Sequence, residues 1–167
     1  KLMNEKYTDM TYVFHSTREY LDLIQSFINE SSLSNCEIVS DDKIKNHILH
    51  KSVFAVAKSG TVSLEISNAK IPSIILYKMG FINFMIVKSL VKTKYANIIN
   101  FAANEEIIPE LLQSNCNSKN IFKHVSNFLE DPNKIKEQVN KVQNVLNKLK
   151  TNGSSSELAS LSLNKFL

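Results

Sequence analysis

The chain alternates between short apolar runs and longer amphipathic stretches. Runs rich in apolar and β-branched residues lie at 11–14, 36–39, 53–57, 73–77 and 96–99, and they predict five strands. Between them, apolar residues recur every three or four positions, which predicts helices over 18–29, 41–50, 61–69 and 81–91. The run 53–57 is apolar at every position, as is typical of a strand covered on both faces. We therefore expect an α/β fold in which one parallel sheet carries helices on both faces.

The last third of the chain changes to a helical pattern. It predicts helices over 118–129 and 134–149, and Pro132 fits the first turn of the second, where its missing N–H does no harm. The second helix has one apolar stripe, which indicates an amphipathic helix laid on a domain. The segment 151–156 (TNGSSS) has the composition of a flexible linker. We expect a domain over 1–130, an amphipathic C-terminal helix over 131–150, and a linker with a short tail over 151–167.

The charge balance argues against nucleic acid as a partner. Twenty basic and 16 acidic residues give a net charge of +4 in a chain of 167 residues. Arg18 is the sole arginine, so the excess is lysine. Proteins that read bases or hold phosphates bidentately usually use arginine for this task. We expect no nucleic-acid binding.

Metal-binding and membrane-spanning patterns are both weak. Cys36 and Cys116 lie far apart and form no CxxC pair, and His47 and His50 are not accompanied by a third ligand at suitable spacing. The most apolar region, 71–91, is interrupted by charged residues, proline and glycine. We expect two reduced thiols, no metal, no cofactor and no transmembrane helix.

The candidate chemistry lies at 57–65 (AKSGTVSLE), where a strand ends and a helix begins. Open α/β sheets bind ligands at the carboxyl ends of their strands, where helix N-termini direct unpaired N–H groups outward. Gly60 permits close backbone approach, and the hydroxyls of Ser59 and Thr61 add hydrogen bonds, so the turn suits a phosphate. Glu65 lies one turn further and can face a sugar hydroxyl. A plain strand-to-helix turn capped by Thr61 is the alternative reading of the same spacing.

The sequence contains SGTVSLEISNAKIPSIILYKM at 59–79, VKTKY at 91–95, Asn100, and PELLQ at 109–113. Together these segments resemble the lipid-A-disaccharide synthases. The resemblance covers about 1–149. That family has two Rossmann-like halves in the GT-B arrangement, and this chain resembles the C-terminal half, which binds the nucleotide-sugar. The resemblance thus implies a Rossmann-like sheet and a fragment of a longer enzyme.

The resemblance also implies an activity and a site. The family transfers 2,3-diacylglucosamine from its UDP donor to 2,3-diacylglucosamine 1-phosphate in an inverting reaction of lipid A biosynthesis, and it releases UDP. Ser59, Gly60 and Thr61 match the turn that meets the UDP diphosphate, Glu65 matches an acidic residue near the ribose, and Asn100 matches an asparagine beside the nucleotide. No catalytic residue is expected in this chain, because the base and the acceptor site belong to the family's N-terminal half.

The expected partners follow from that activity: UDP-2,3-diacylglucosamine, UDP and, through the other half, the acceptor. The resemblance implies a cytoplasmic protein peripheral at the inner membrane, a location that the lysine excess suits. The apolar faces of the last helices leave two options open, folding onto this domain or pairing into a homodimer.

Two residues depart from the family pattern. Ile99 stands where the family has the proline of a Leu-Pro-Asn segment, and Glu105 replaces an arginine with a charge that disfavours an anion. Both predict weaker binding of UDP. The alternative function is a truncated, non-catalytic remnant or interaction domain of this fold without nucleotide affinity.

Overall fold

The computed structural model describes residues 1–58, 60–80 and 94–149. Ser59, the predicted helix at 81–91 and the predicted linker and tail at 151–167 lie outside the described residues.

Helices and strands alternate along the described chain. The strands are β1 (Tyr12–His15), β2 (Cys36–Val39), β3 (Ala55–Lys58), β4 (Ser73–Tyr77) and β5 (Glu110–Leu112). The helices are α1 (Leu2–Lys6), α2 (Leu21–Glu30), α3 (Asp42–Leu49), α4 (Thr61–Asn68), α5 (Ile98–Ala103), α6 (Ser118–Leu129) and α7 (Pro132–Leu149), with single 3-10 turns at Arg18–Tyr20 and Gln113–Asn115.

All pairings between the described strands are parallel, which confirms the predicted α/β class. In the described part of the chain, however, the strands form two sheets and not one: a pair, β1-β2, and a triplet, β3-β4-β5. Tyr12 lies opposite Cys36 in the pair, whereas Ala55 lies opposite Ser73 and Ile75 opposite Glu110 in the triplet.

Strand β4 lies at the centre of the packing. Neighbouring residues of a strand face opposite sides of a sheet, and both Ile74 and Ile75 are completely buried. Ile74 packs with Val125 and Phe128 of α6, while Ile75 belongs to a second cluster with residues of α5 and α7. Helices therefore cover both faces of the triplet, as expected for a Rossmann-like sheet.

The fifth strand was predicted in the wrong place. Residues 96–99 do not form a strand, because the side chain of Asn97 accepts a hydrogen bond from the N–H of Ile99 (2.8 Å) and begins α5. The run instead leads into a helix, in which Ile99 is completely buried and Ile98 is exposed. The fifth strand is Glu110–Leu112, three residues long. A short apolar run does not by itself distinguish a strand from a buried helix.

Strand β3 is also less covered than its sequence predicts. Val53 is 60% exposed and Val56 is 46% exposed, although the run is apolar at every position. β3 pairs with β4 on one side only among the described residues.

Helix α7 folds onto the domain, one of the two predicted options. It packs against α4, α5 and α6 and buries Val142, Val145 and Leu146. A buried glutamine on the same helix, Gln138, accepts a hydrogen bond from the N–H of Ser73 (2.8 Å) and donates to the carbonyls of Ser73 (3.0 Å) and Ile107 (3.2 Å). Gln138 thus joins α7 to the start of β4 and to the approach to β5.

We expect the substitution Gln138→Leu to lower the free energy of unfolding by about 2–4 kcal/mol, because it leaves several buried backbone groups without partners. Asn140→Leu, at an exposed position of the same helix, should change it by less than about 0.5 kcal/mol. Urea denaturation measures both, and equal effects of the two substitutions would contradict the role of Gln138.

Candidate functional site

The turn between β3 and α4 has a backbone conformation that requires glycine. Gly60 lies at φ 151° and ψ −165° and precedes the first residue of α4. This region is almost closed to residues with a Cβ. The carbonyl of Gly60 accepts hydrogen bonds from the N–H (3.1 Å) and the hydroxyl (2.7 Å) of Ser63, so the turn is tied to the helix that follows it.

This turn presents the N-terminus of α4 to solvent. Thr61 is the first residue of the helix and Glu65 lies one turn later, and both are exposed. The structure therefore brings Gly60, Thr61 and Glu65 together on one helix end, as predicted, at the carboxyl end of β3. Such an end combines outward-facing N–H groups with the positive end of the helix dipole.

A series of polar side-chain contacts runs from Glu65 towards β1. The Nζ of Lys45 on α3 lies 2.9 Å from Oε2 of Glu65 and 2.9 Å from Oδ1 of Asp42, and Nε2 of His15 lies 3.8 Å from the same Oδ1. The hydrogen bonds to Glu65 and Asp42 raise the pKa of Lys45, and the hydrogen bond from Lys45 lowers the pKa of Asp42. These contacts join α4 to α3 and, through His15, to the end of β1.

The Asn100 side chain bonds to the segment that leads into β5. Asn100 is completely buried on α5. Its Nδ2 donates to the carbonyl of Ile108 (2.6 Å) and to Oε1 of Glu110 (2.8 Å), and its Oδ1 accepts from the N–H groups of Ile107 and Ile108 (both 2.9 Å). The amide thus holds the segment that leads into β5 and has its hydrogen-bonding groups occupied within the protein.

Sequence reasoning missed two further residues that shape this region. Glu110 accepts hydrogen bonds from the N–H groups of Ala96 (2.7 Å) and Asn97 (3.1 Å) and fixes the start of α5. Lys45 was also missed, although its i,i+3 spacing to Asp42 on a predicted helix was a signal for one of its two ion pairs. Its pairing with Glu65 depends on how α3 packs beside α4, which no local pattern encodes.

Comparison with known proteins identifies the family. A family model described as lipid-A-disaccharide synthetase matches residues 1–163. The lipid-A-disaccharide synthase of Rickettsia prowazekii is 33% identical over 160 residues, which cover 94% of this chain and 41% of that protein. That of a Sulfurihydrogenibium species is 30% identical over 169 residues, covering 96% of this chain and 44% of the relative.

The chain belongs to the lipid-A-disaccharide synthase family. It spans about two fifths of the length of these relatives. Within the described residues, no group of His, Cys, Asp and Glu could hold a metal ion, and none of the described helices is long and apolar enough to cross a membrane.

The two departures from the family pattern both have structural partners. The N–H of Ile99, which a proline would lack, donates to the Asn97 cap of α5. Glu105 is paired with Lys141 of α7 at 2.7 Å, and Glu137, four residues before Lys141 on the same helix, lies 3.1 Å from the same ammonium group. The Glu105 carboxylate therefore lies against α7, where Lys141 partly neutralises its charge.

The conformation of the turn yields a stability prediction. Gly60→Ala should lower the free energy of unfolding by about 1–3 kcal/mol, because the backbone is strained for any residue with a Cβ. A Cβ at Gly80 meets nothing within 4 Å and that residue does not have a positive φ, so Gly80→Ala should leave stability unchanged or raise it by about 0.4–1 kcal/mol. Thermal unfolding of both variants measures the contrast. If both substitutions shift the Tm equally, the proposed backbone requirement at Gly60 is wrong.

Proposed function

We propose that this chain is the donor-binding part of a lipid-A-disaccharide synthase. In this proposal it binds the UDP of UDP-2,3-diacylglucosamine, and the full-length enzyme transfers the sugar to 2,3-diacylglucosamine 1-phosphate in lipid A biosynthesis. The observation that carries the proposal is the exposed N-terminus of α4, which follows a turn restricted to glycine and has an exposed carboxylate, Glu65, one turn further on.

Each part of this helix end suits a part of the nucleotide. The diphosphate would accept hydrogen bonds from the first N–H groups of α4 and from the hydroxyl of Thr61, with Ser59 beside them in the sequence. The Glu65 carboxylate would accept a hydrogen bond from a ribose hydroxyl. Its ion pair with Lys45 holds it in place on the side that faces α3.

The same geometry can assist the reaction. As the glycosidic bond to the diphosphate breaks, negative charge develops on the departing UDP. Helix-terminal N–H groups that are already oriented stabilise that charge without rearranging. An inverting transfer also needs a base on the opposite side of the sugar to deprotonate the acceptor hydroxyl. We assign the base and the acceptor site to the part of the enzyme outside these 167 residues.

Asn100 has a positioning role in this proposal. Its four hydrogen bonds order residues 107–110, so in this proposal Asn100 positions that segment and does not itself touch the ligand. The lysine excess suits a protein that works at the cytoplasmic surface of an inner membrane, where lipids are anionic.

We expect UDP to bind this chain weakly and Glu65→Ala to reduce the affinity roughly tenfold or more, because a hydrogen bond to a charged group contributes about 1.5–3 kcal/mol. Isothermal titration with UDP measures this. Glu30→Ala, at an exposed position at the end of α2, is the control and should bind like the wild type. Equal affinity for the Glu65 variant would refute the site. Failure of the wild type to bind UDP at millimolar concentration would favour the non-catalytic alternative.

We also expect no glycosyl transfer by the 167-residue chain alone, because the acceptor site and the base lie outside it. Thin-layer chromatography of the lipid products, with the full-length Rickettsia prowazekii relative as the positive control, measures transfer. Formation of the disaccharide by the purified chain would contradict the assignment of the base and the acceptor site to the rest of the enzyme.

A further inference from the structure

The charge of Glu65 works against the binding of a diphosphate on the same helix. Glu65 lies four residues after Thr61, which corresponds to about 6 Å along the axis of α4. The Debye length at physiological ionic strength is about 8 Å, so salt screens the repulsion over such a distance only in part. A carboxylate at this position therefore weakens the binding of an anion unless a cation offsets its charge.

Lys45 of α3 supplies such a cation. Its Nζ lies 2.9 Å from Oε2 of Glu65 and 2.9 Å from Oδ1 of Asp42. Asp42 lies three residues before Lys45 on the same helix, so it anchors the ammonium group on α3 while that group contacts α4. On its far side Asp42 faces His15, whose Nε2 lies 3.8 Å from the same Oδ1. The Glu65 carboxylate is thus paired with a cation that a second carboxylate holds in place.

The exposure of these groups differs, and the difference separates their roles. The side chain of Lys45 is 17% exposed, whereas those of Glu65 and Asp42 are 43% and 80% exposed. An ammonium group has three N–H donors, and the contacts with Glu65 and Asp42 use two of them. Lys45 is therefore mostly covered, whereas Glu65 keeps a surface that a ligand can reach. This geometry favours an effect of Lys45 through Glu65 over direct contact of Lys45 with phosphate.

The same ion pair restricts the direction of the Glu65 side chain. A glutamate on a helix surface samples several rotamers, and fixing one of them when a ligand binds costs side-chain entropy. The contact with Lys45 already orders the side chain through Oε2. A carboxylate has two oxygens, so a ribose hydroxyl can donate to Oε1 while Lys45 keeps Oε2. Lys45 thus lowers both the electrostatic and the entropic cost of using Glu65 as an acceptor.

We propose that Lys45 is a positioning residue of the nucleotide site. Its ammonium group neutralises Glu65 and holds it in one direction, so that an acidic side chain accepts a ribose hydroxyl close to a bound diphosphate. The consequence is selectivity for a ribonucleoside diphosphate over its deoxyribonucleoside counterpart. This proposal rests on the proposed function, because Lys45 acts through a residue of that site.

A double-mutant cycle between Lys45 and Glu65 tests this role. We expect Lys45→Met to weaken UDP binding about tenfold, because it leaves the Glu65 charge unpaired beside the diphosphate. In the Glu65→Gln background the same substitution should change the affinity less than about twofold, because no charge is left to neutralise. Isothermal titration of the four proteins with UDP measures the coupling. The matched control is Lys43→Met, the same change of charge at an exposed position of the same helix, which should bind UDP within about twofold of the wild type.

Deoxynucleotides test the selectivity. Of 2′-deoxy-UDP and 3′-deoxy-UDP, the one that lacks the hydroxyl bound by Glu65 should bind the wild type at least about fivefold more weakly than UDP does. Lys45→Met should reduce that ratio to less than about twofold, because the Glu65 carboxylate is no longer held towards the ribose. Lys45→Arg retains the charge and should keep the ratio close to that of the wild type. The arginine variant thus separates loss of the charge from a disturbance of the fold.

The role of Lys45 and the nucleotide site itself fail on different results. If the wild type does not bind UDP, or Glu65→Ala binds it as the wild type does, the site is wrong and the role of Lys45 with it. If Glu65→Ala weakens binding but Lys45→Met binds like Lys43→Met, the role of Lys45 alone is wrong. An equal loss from Lys45→Met in both Glu65 backgrounds would also overturn that role, because it indicates direct contact with the ligand or support of the fold. So would an equal loss of selectivity in Lys45→Arg and Lys45→Met.

Discussion

The burial of β4 on both faces is the constraint on which the rest of the fold depends. A strand with Ile74 and Ile75 both excluded from water needs an apolar layer on each side. α6 supplies one layer, and α5 and α7 supply the other. Because the strands beside it are parallel, each connection must cross back over a face of the sheet. Those crossovers bring the N-terminus of α4 to the carboxyl edge of the sheet, where the candidate site lies.

Much of this fold could be predicted from periodicity, but the path between β4 and β5 could not. β2, β4 and α6 begin and end where the apolar pattern predicts them. The strand predicted at 96–99 was wrong because so short a run, with only three apolar residues, suits either a strand or the start of a helix. The Asn97 cap, with its neighbour Glu110, decides in favour of the helix. β5 is too short to have a recognisable pattern, and it is defined by its pairing with β4.

The candidate site, too, could be predicted from the sequence only in part. Gly60 could be identified from sequence because glycine is scarce in this chain and lies between an apolar run and a helical pattern. The family motif also identified Asn100, but a motif does not show which atoms its residues contact. The four internal bonds of Asn100 depend on a segment several residues away folding back on α5. The ion pair of Lys45 with Glu65 likewise requires the packing of α3 beside α4.

The ion pair between Lys45 of α3 and Glu65 of α4 has a consequence for how the molecule opens. Among the described residues, the completely buried large side chains all lie between Ser63 and Ile108, within the part of the chain that builds on the triplet. The β1-β2 pair has a thinner core, and Lys45 and Lys6 tie it and its preceding helix to the rest through partners that are largely exposed. Exposed pairs of this kind add little stability and weaken as ionic strength rises. We therefore expect the part of the chain ahead of β3, which contains β1 and β2, to open more readily than the triplet, and more so as ionic strength rises.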